Sequence, residues 1–234
     1  MRVGIVGAGP GGLASGMMLA AKGVDVTIYE RENQVGGRCG TITDEEGNYV
    51  FDIGPTFLMM PFILEGIFQE CGLDLNDYAE LKLLEPYYQL VYRDGSKFYP
   101  GQDHERVKDN IRELNPDDVK GFDSYMSDNR HKFEKTFPVL RGDYRKFTDM
   151  LNKNVLNFLP VMRPFTSLWS DLSNHFQDDR IKVGFTFQSK YLGMSPMNCP
   201  SVFSILSYIE YSMGIYHVMG GLNQLSKAMA KAYQ

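Results

Sequence analysis

The residues of this chain whose types and spacing could do chemistry are Gly7, Gly9 and Gly12, the acid Glu30 and the turn Gly36-Gly37-Arg38. The chemistry they suit is the holding of a dinucleotide. A pyrophosphate must be met by backbone N–H groups, and GxGxxG gives a tight turn, a bare backbone and close helix–strand contact. Pro10 fits the first turn of a helix, with Gly11 in the same bare stretch. A carboxylate at Glu30 can accept hydrogen bonds from ribose hydroxyls. Two further glycines let the chain pass close to a ligand, and Arg38 can meet a pyrophosphate or a structural carboxylate with a forked pair of donors.

These residues need a strand, a helix and a second strand to position them, and the sequence supplies all three. Val3, Ile5 and Val6 make the short apolar run of a strand buried on both faces. Leu13, Met17 and Ala20 or Ala21 recur at helical steps, and Lys22-Gly23 is a stop signal. Val24, Val26 and Ile28 then alternate with Asp25, Thr27 and Tyr29 in a strand that ends on Glu30. Strand, glycine turn, helix, strand and terminal acid is the order a dinucleotide motif requires, which a lone GxGxxG is not.

The Gly36-Gly37-Arg38 turn resembles the second glycine signature of the two-dinucleotide-binding-domain flavoproteins, the glutathione reductase and amine oxidase type, which bind FAD. Further on stands FDIGPT, followed by an apolar segment. Taken with the earlier motifs it resembles the bacterial-type phytoene desaturase family, especially the branch acting on C30 diapocarotenoids such as dehydrosqualene. That resemblance implies an Asp-x-Gly-Pro turn close to the flavin, with Gly54 and Pro55 beside the isoalloxazine and Asp52 holding the turn. Read from the residues alone, the same segment is also a plain strand-ending turn. The cofactor-binding set implied is Gly7, Gly9, Pro10, Gly11, Gly12, Glu30, Arg31, Gly36, Gly37, Arg38, Gly54, Pro55 and Thr56.

The implied fold is α/β: a Rossmann-like FAD-binding domain of amine-oxidase type with an inserted α+β substrate domain. Residues 1–60 begin the FAD domain, 61–213 form the substrate and membrane-associated domain, and 214–234 return to the first. Members of the family are about twice as long and return with further strands and a C-terminal glycine motif. The chain therefore reads as an N-terminal, truncated piece, with open edges on its first sheet.

Composition excludes several classes. The formal charge is 24 − 29 = −5 with no basic block, which gives no reason to propose nucleic acid as a partner. Cys39, Cys71 and Cys199 are widely spaced with no CxxC or His pairing, so reduced thiols are expected and no metal site. The first residues run straight into a strand, so no signal segment is expected, and no run of about eighteen apolar residues occurs in the sequence. A cytoplasmic protein peripheral to the cell membrane is the expectation.

Along the rest of the chain, Thr41 to Thr43 and Tyr49 to Ile53 read as strands around DEEGN. A helix starts at Pro61, with Ile63, Leu64, Ile67, Phe68 and Cys71 on one face and Gly72 as its stop. Strands are expected at 81–84 and 87–93, the latter turning at Asp94-Gly95 into 97–99, a sheet that suits either the floor of a substrate domain or plain core, the commoner use of such Tyr and Leu rows. From His104 to Phe176 the pattern is helical, broken at Pro116, Pro138, Pro160 and Pro164. Within it, Leu156 to Trp169 gathers apolar residues around two prolines and Arg163. It suits either a membrane-facing segment or buried loop packing. The last third adds to the resemblance: it is similar to the family's long substrate-domain helix, which Pro200 would begin and Gly214 end, then a short strand at Tyr216 to Val218 and a second helix opened by Met219-Gly220-Gly221.

The activity implied by the resemblance is FAD-dependent desaturation of a carotenoid precursor of phytoene or 4,4'-diapophytoene type. Such an isoprenoid offers no polar handle. Its affinity must come from burial at ~25 cal/mol per Å2, with hydride passing to the flavin. No catalytic residue is assigned, and His104, His131, His175 and His217 are scattered. A carotenoid oxygenase or isomerase could use the same grip. An amine oxidase shares the N-terminal motifs but is less similar later in the chain. A Rab GDP-dissociation inhibitor-like protein would bind isoprenoid without flavin, and the intact glycine set argues against that.

Overall fold

Alternating apolar residues draw the first thirty positions into a βαβ unit of β1 (Arg2–Val6), α1 (Pro10–Ala21) and β2 (Asp25–Tyr29). The computed structural model describes residues 1–233. The two strands are parallel, in register from Arg2 opposite Asp25 to Val6 opposite Tyr29. Next come the hairpin β3 (Thr41–Thr43) and β4 (Val50–Asp52), then α2 (Pro61–Glu70) and β5 (Leu81–Leu83). The chain continues through β6 (Leu90–Val91), β7 (Lys97–Phe98), α3 (His104–Leu114), α4 (Val119–Leu140) and α5 (Lys153–Met162). It ends with α6 (Leu168–Leu172), α7 (Asp179–Gly184), α8 (Ile205–Met213), β8 (Tyr216–Val218) and α9 (Asn223–Tyr233).

Two compact units result, Met1–Leu84 with the chain from Ile215 onward, and Glu85–Gly214. In the first, β8 returns antiparallel to β5, with Leu81 opposite Val218, and delivers α9 alongside α1. Their shared core holds Leu13, Met17, Phe68, Leu75, Leu225 and Met229. The sequence reading opens the second domain at residue 61. By packing, residues 61–84 go with the first unit, because Phe68 and Leu75 are buried in that core. The reading of β1 as buried on both faces is also corrected. Val3 and Ile5 are half-buried, whereas Val6 is 91% exposed, since among the described residues helices cover one face of the β1–β2 pair.

The second unit is built on an aromatic core in which Phe185 stacks on Phe176 and on Tyr211, with Phe98, Phe122 and Tyr125 around them. Its expected sheet is only a two-residue hairpin, Leu90–Val91 against Lys97–Phe98, closed by the Asp94-Gly95 turn. Pro138 and Pro160 do not break the chain. Both lie in the last turn of α4 and α5, where a proline costs a hydrogen bond but leaves little helix beyond it to disrupt. The helix expected from Pro200 begins as a 3-10 turn, Ser201–Ser204, and becomes α-helical at Ile205.

Candidate cofactor site

The first glycine turn is fixed from three sides. Gly7 donates its N–H to the carbonyl of Tyr29 at 2.7 Å, and Leu13 donates to the carbonyl of Gly9 at 3.0 Å, starting α1. A Cβ on Gly12 would stand 2.1 Å from the Gly7 carbonyl oxygen, so only glycine lets the helix lie against the turn. Glu30 closes the turn from below. Its Oε2 accepts the N–H of Ala8 at 2.6 Å, and its Oε1 accepts the N–H groups of Arg31 at 2.8 Å and Glu32 at 3.0 Å. The N–H of Glu32 first, then that of Ala8, holds this carboxyl below the usual carboxylate range, so it is ionised at neutral pH.

The second glycine turn docks on the first, with Gly36 donating its N–H to the Ala8 carbonyl at 2.8 Å. The FDIGP turn then crosses the second turn so closely that a Cβ on Gly54 would meet the Arg38 carbonyl oxygen at 2.1 Å. Together the three turns enclose a cleft of about 840 Å3 lined by Gly9, Pro10, Gly11, Gly37, Arg38, Cys39, Ile53, Gly54 and Pro55.

The structure thus brings Gly9, Pro10, Gly11, Gly37, Arg38, Gly54 and Pro55 of the expected set to one cleft. Gly7, Gly12 and Gly36 shape its walls without lining it, and Glu30 sits under the turn. Arg31 and Thr56 do not reach the cleft lining. Thr56 is exposed, and Arg31 is exposed with its guanidinium on Glu32 at 2.8 Å. Asp52, expected to hold its turn, also reaches the returning segment. Its carboxylate accepts the N–H of Leu222 at 3.2 Å, which anchors the start of α9. Cys39 and Ile53 in the lining were missed by the sequence reading, though their positions beside the two motifs signal them. Burial raises the Cys39 thiol above its ordinary value, so it stays protonated.

A dinucleotide fits these residues. A Cβ at Gly9 or Gly11 would meet no protein atom and would instead stand in the cleft, so the bare backbone serves a ligand and not the packing of the protein. The N-terminus of α1 adds the free N–H groups and positive dipole end that favour a pyrophosphate. Arg38 adds a cation, and Glu30 is an acid at the end of β2.

Two mutually bonded glycine turns, an acid closing the βαβ unit and a returning helix define the dinucleotide-holding half of an FAD-binding flavoprotein. The family of flavin containing amine oxidoreductases matches residues 10–234, and the chain belongs to that family. FAD is its cofactor. A 4,4'-diapophytoene desaturase (4,4'-diapolycopene-forming) of Methylomonas is 37% identical over 227 residues, 97% of this chain and 44% of the relative. A phytoene desaturase of Neurospora crassa is 33% identical over 232 residues, 97% of this chain and 39% of the relative. A cofactor-binding redesign of putrescine oxidase superimposes with a TM-score of 0.61 at 19% identity, covering 100% of this chain and 49% of that one. The chain spans less than half the length of the curated relatives it matches. Among the described residues no helix is long and apolar enough to cross a membrane.

Proposed function

We propose that the protein carries out FAD-dependent desaturation of a carotenoid precursor, a C30 or C40 polyene of diapophytoene or phytoene type. The observation that carries this reading is that the cofactor cleft adjoins hydrocarbon. A cavity of about 260 Å3 shares Pro10 and Cys39 with the cleft and is walled by residues such as Leu58, Met60, Ile63, Ile67 and Met229, with no charged side chain among the described residues of its lining. An amine or carboxylate substrate would find no charged partner in that wall, whereas a hydrocarbon loses nothing there and gains ~25 cal/mol per Å2 buried. Bound flavin supplies the hydride acceptor that oxidation of a CH–CH bond requires. The Methylomonas and Neurospora crassa relatives are named as desaturases of such precursors, which supports the same reading. The test is to incubate the full-length protein with FAD and 4,4'-diapophytoene or phytoene in liposomes. The result expected is the stepwise red shift of a lengthening polyene, dependent on FAD. A product that has gained oxygen, or changed geometry with no added double bond, refutes desaturation.

The same substrate resides in a bilayer, and we propose peripheral attachment of a cytoplasmic protein to the membrane through the second unit. Phe147 is 80% exposed and Phe165 fully exposed, with Leu140, Leu151, Leu156 and Leu159 also exposed nearby in sequence. Exposed Arg141, Lys146 and Lys153 suit anionic headgroups. Leu168 is buried, Trp169 is half-buried with Lys182 Nζ 5.1 Å over its ring, and Arg163 pairs with Asp171 at 3.3 Å. The contact is therefore narrower at its C-terminal end than the whole Leu156–Trp169 stretch, and broader on its N-terminal side. Replacing Phe147 and Phe165 together by Ser should weaken binding to anionic liposomes by about a hundredfold, since each phenylalanine contributes ~1.5 kcal/mol when buried. Equal co-sedimentation of variant and wild type refutes this surface.

A further inference from the structure

We propose that Asn223 is a positioning residue for the cofactor, holding the Gly36-Gly37-Arg38 turn in the shape that brings Gly37 and Arg38 to the cleft. The inference rests on the flavin reading of that cleft. Asn223 is the first residue of α9, and its side chain is fully buried. Its one amide nitrogen donates twice, to the carbonyl of Val35 at 2.8 Å and to the carbonyl of Cys39 at 2.8 Å. A single side chain therefore spans the turn, from the residue before Gly36 to the residue after Arg38. Two carbonyls can be met only by an NH2 group, so the orientation of the amide is dictated. Its oxygen, Oδ1, is buried with no partner among the described residues, and a buried acceptor in that state is retained only where the donors on the same group gain more than it loses.

The fit around Asn223 is close. Gly36 adopts φ 116°, in the left-handed region, and a Cβ there would stand 2.4 Å from Asn223 Nδ2. On its other side, Gly36 donates to the Ala8 carbonyl at 2.8 Å. The turn is thus clamped between the first glycine turn and α9. Glu30 holds Ala8 in the same chain of bonds, so ribose acid, first turn, second turn and Asn223 form one connected framework. Loss of Asn223 leaves Gly37 and Arg38 attached to that framework on one side only, and the ligand must then order them on binding.

The experiment measures FAD affinity of the full-length protein by quenching of flavin fluorescence, normalised to the folded fraction from circular dichroism. Wild type is compared with Asn223→Ala, Asn223→Asp, Arg38→Ala and the Asn223→Ala/Arg38→Ala double variant. Two neutral hydrogen bonds predict a loss of about tenfold for Asn223→Ala. If Asn223 acts through the placement of Arg38, the double variant is no worse than about the weaker-binding single variant, because the two losses are not independent. Asn223→Asp puts a carboxylate against two carbonyls at pH 8 and binds worse than the alanine variant. It recovers as pH falls toward 5 and the acid regains one donor, a recovery that the alanine variant does not share. Losses that multiply in the double variant, an unchanged affinity for both Asn223 variants, or a loss wholly explained by the unfolded fraction each overturn the proposal. In all three cases wild type still binds FAD; a wild type that binds none refutes the flavin reading itself.

Discussion

Glu210 offers a sharp test of the physical reasoning in the second unit. It lies on α8 with no exposed surface, and no ion pair to it is found among the described residues. Gln188 Nε2 donates to its Oε2 at 2.6 Å and Tyr191 Oη to its Oε1 at 2.8 Å. Burial outweighs these two bonds and pushes the carboxyl up from an ordinary 4.5 to about 7. In the unfolded chain it titrates near 4.5, so below that pH both states are protonated and the stability is fully present. As pH rises, the unfolded state ionises first, and stability falls until the folded state ionises near 7. The difference amounts to about 3 kcal/mol above that pH. Glu210→Gln is neutral throughout and retains an oxygen and an NH2, which the Tyr191 hydroxyl and the otherwise unpartnered Oε1 of Gln188 can meet. The variant should therefore gain on wild type by about 3 kcal/mol between pH 4.5 and 8, or roughly 6–12 °C in melting temperature. Parallel thermal melts of both proteins at pH 5 and pH 8 measure it. A stability difference that does not change with pH refutes the argument that a charge buried at Glu210 weakens the fold.

Two expectations concern the cleft. Gly12→Ala places a methyl 2.1 Å from the Gly7 carbonyl oxygen, a backbone atom that cannot turn aside, so α1 must lift from the turn. We expect a loss of about 1–3 kcal/mol in stability and at least tenfold in FAD affinity, while Gly66→Ala, which meets no atom in α2, leaves both intact or slightly improved. Equal melting temperatures for the two variants would show that the turn has slack. Glu30→Gln removes the charge and one of the two acceptor oxygens that hold the N–H groups of Ala8, Arg31 and Glu32, and FAD affinity should fall about tenfold or more. Because those N–H groups depress the carboxyl, wild-type affinity should hold as pH is lowered through 5; a decline already complete at pH 5 counts against the assignment.

The chain from Arg2 to Arg38 was largely legible as sequence, because what shapes it is local. Apolar alternation sets β1 and β2, helical spacing sets α1, Gly23 ends the helix, and Gly12 answers a carbonyl only five positions away. The Asp94-Gly95 hairpin and the Gly214 stop of α8 are legible for the same reason. Phe165 and Leu168 mark the limit. Three positions apart and both apolar, they end fully exposed and fully buried, because the N–H of Leu168 bonds the Cys199 carbonyl at 2.7 Å and draws α6 inward. Hydrophobicity along the chain carries no information about such a partner.

Only the tertiary structure decided how the cofactor cleft is held together. Asp52 reaches Leu222 across 170 positions, and Asn223 reaches Cys39 and Val35 across 184 and 188. No periodicity or spacing rule spans such a distance, since the whole second unit lies between the partners and they meet only when β8 pairs with β5. The sequence by itself determined that a dinucleotide grip exists, because bare glycines and a terminal acid are intrinsic to the βαβ segment. Which side chains keep its two turns in register was settled by the return of α9, because a hydrogen bond depends on where two groups end in space and not on how far apart they are along the chain.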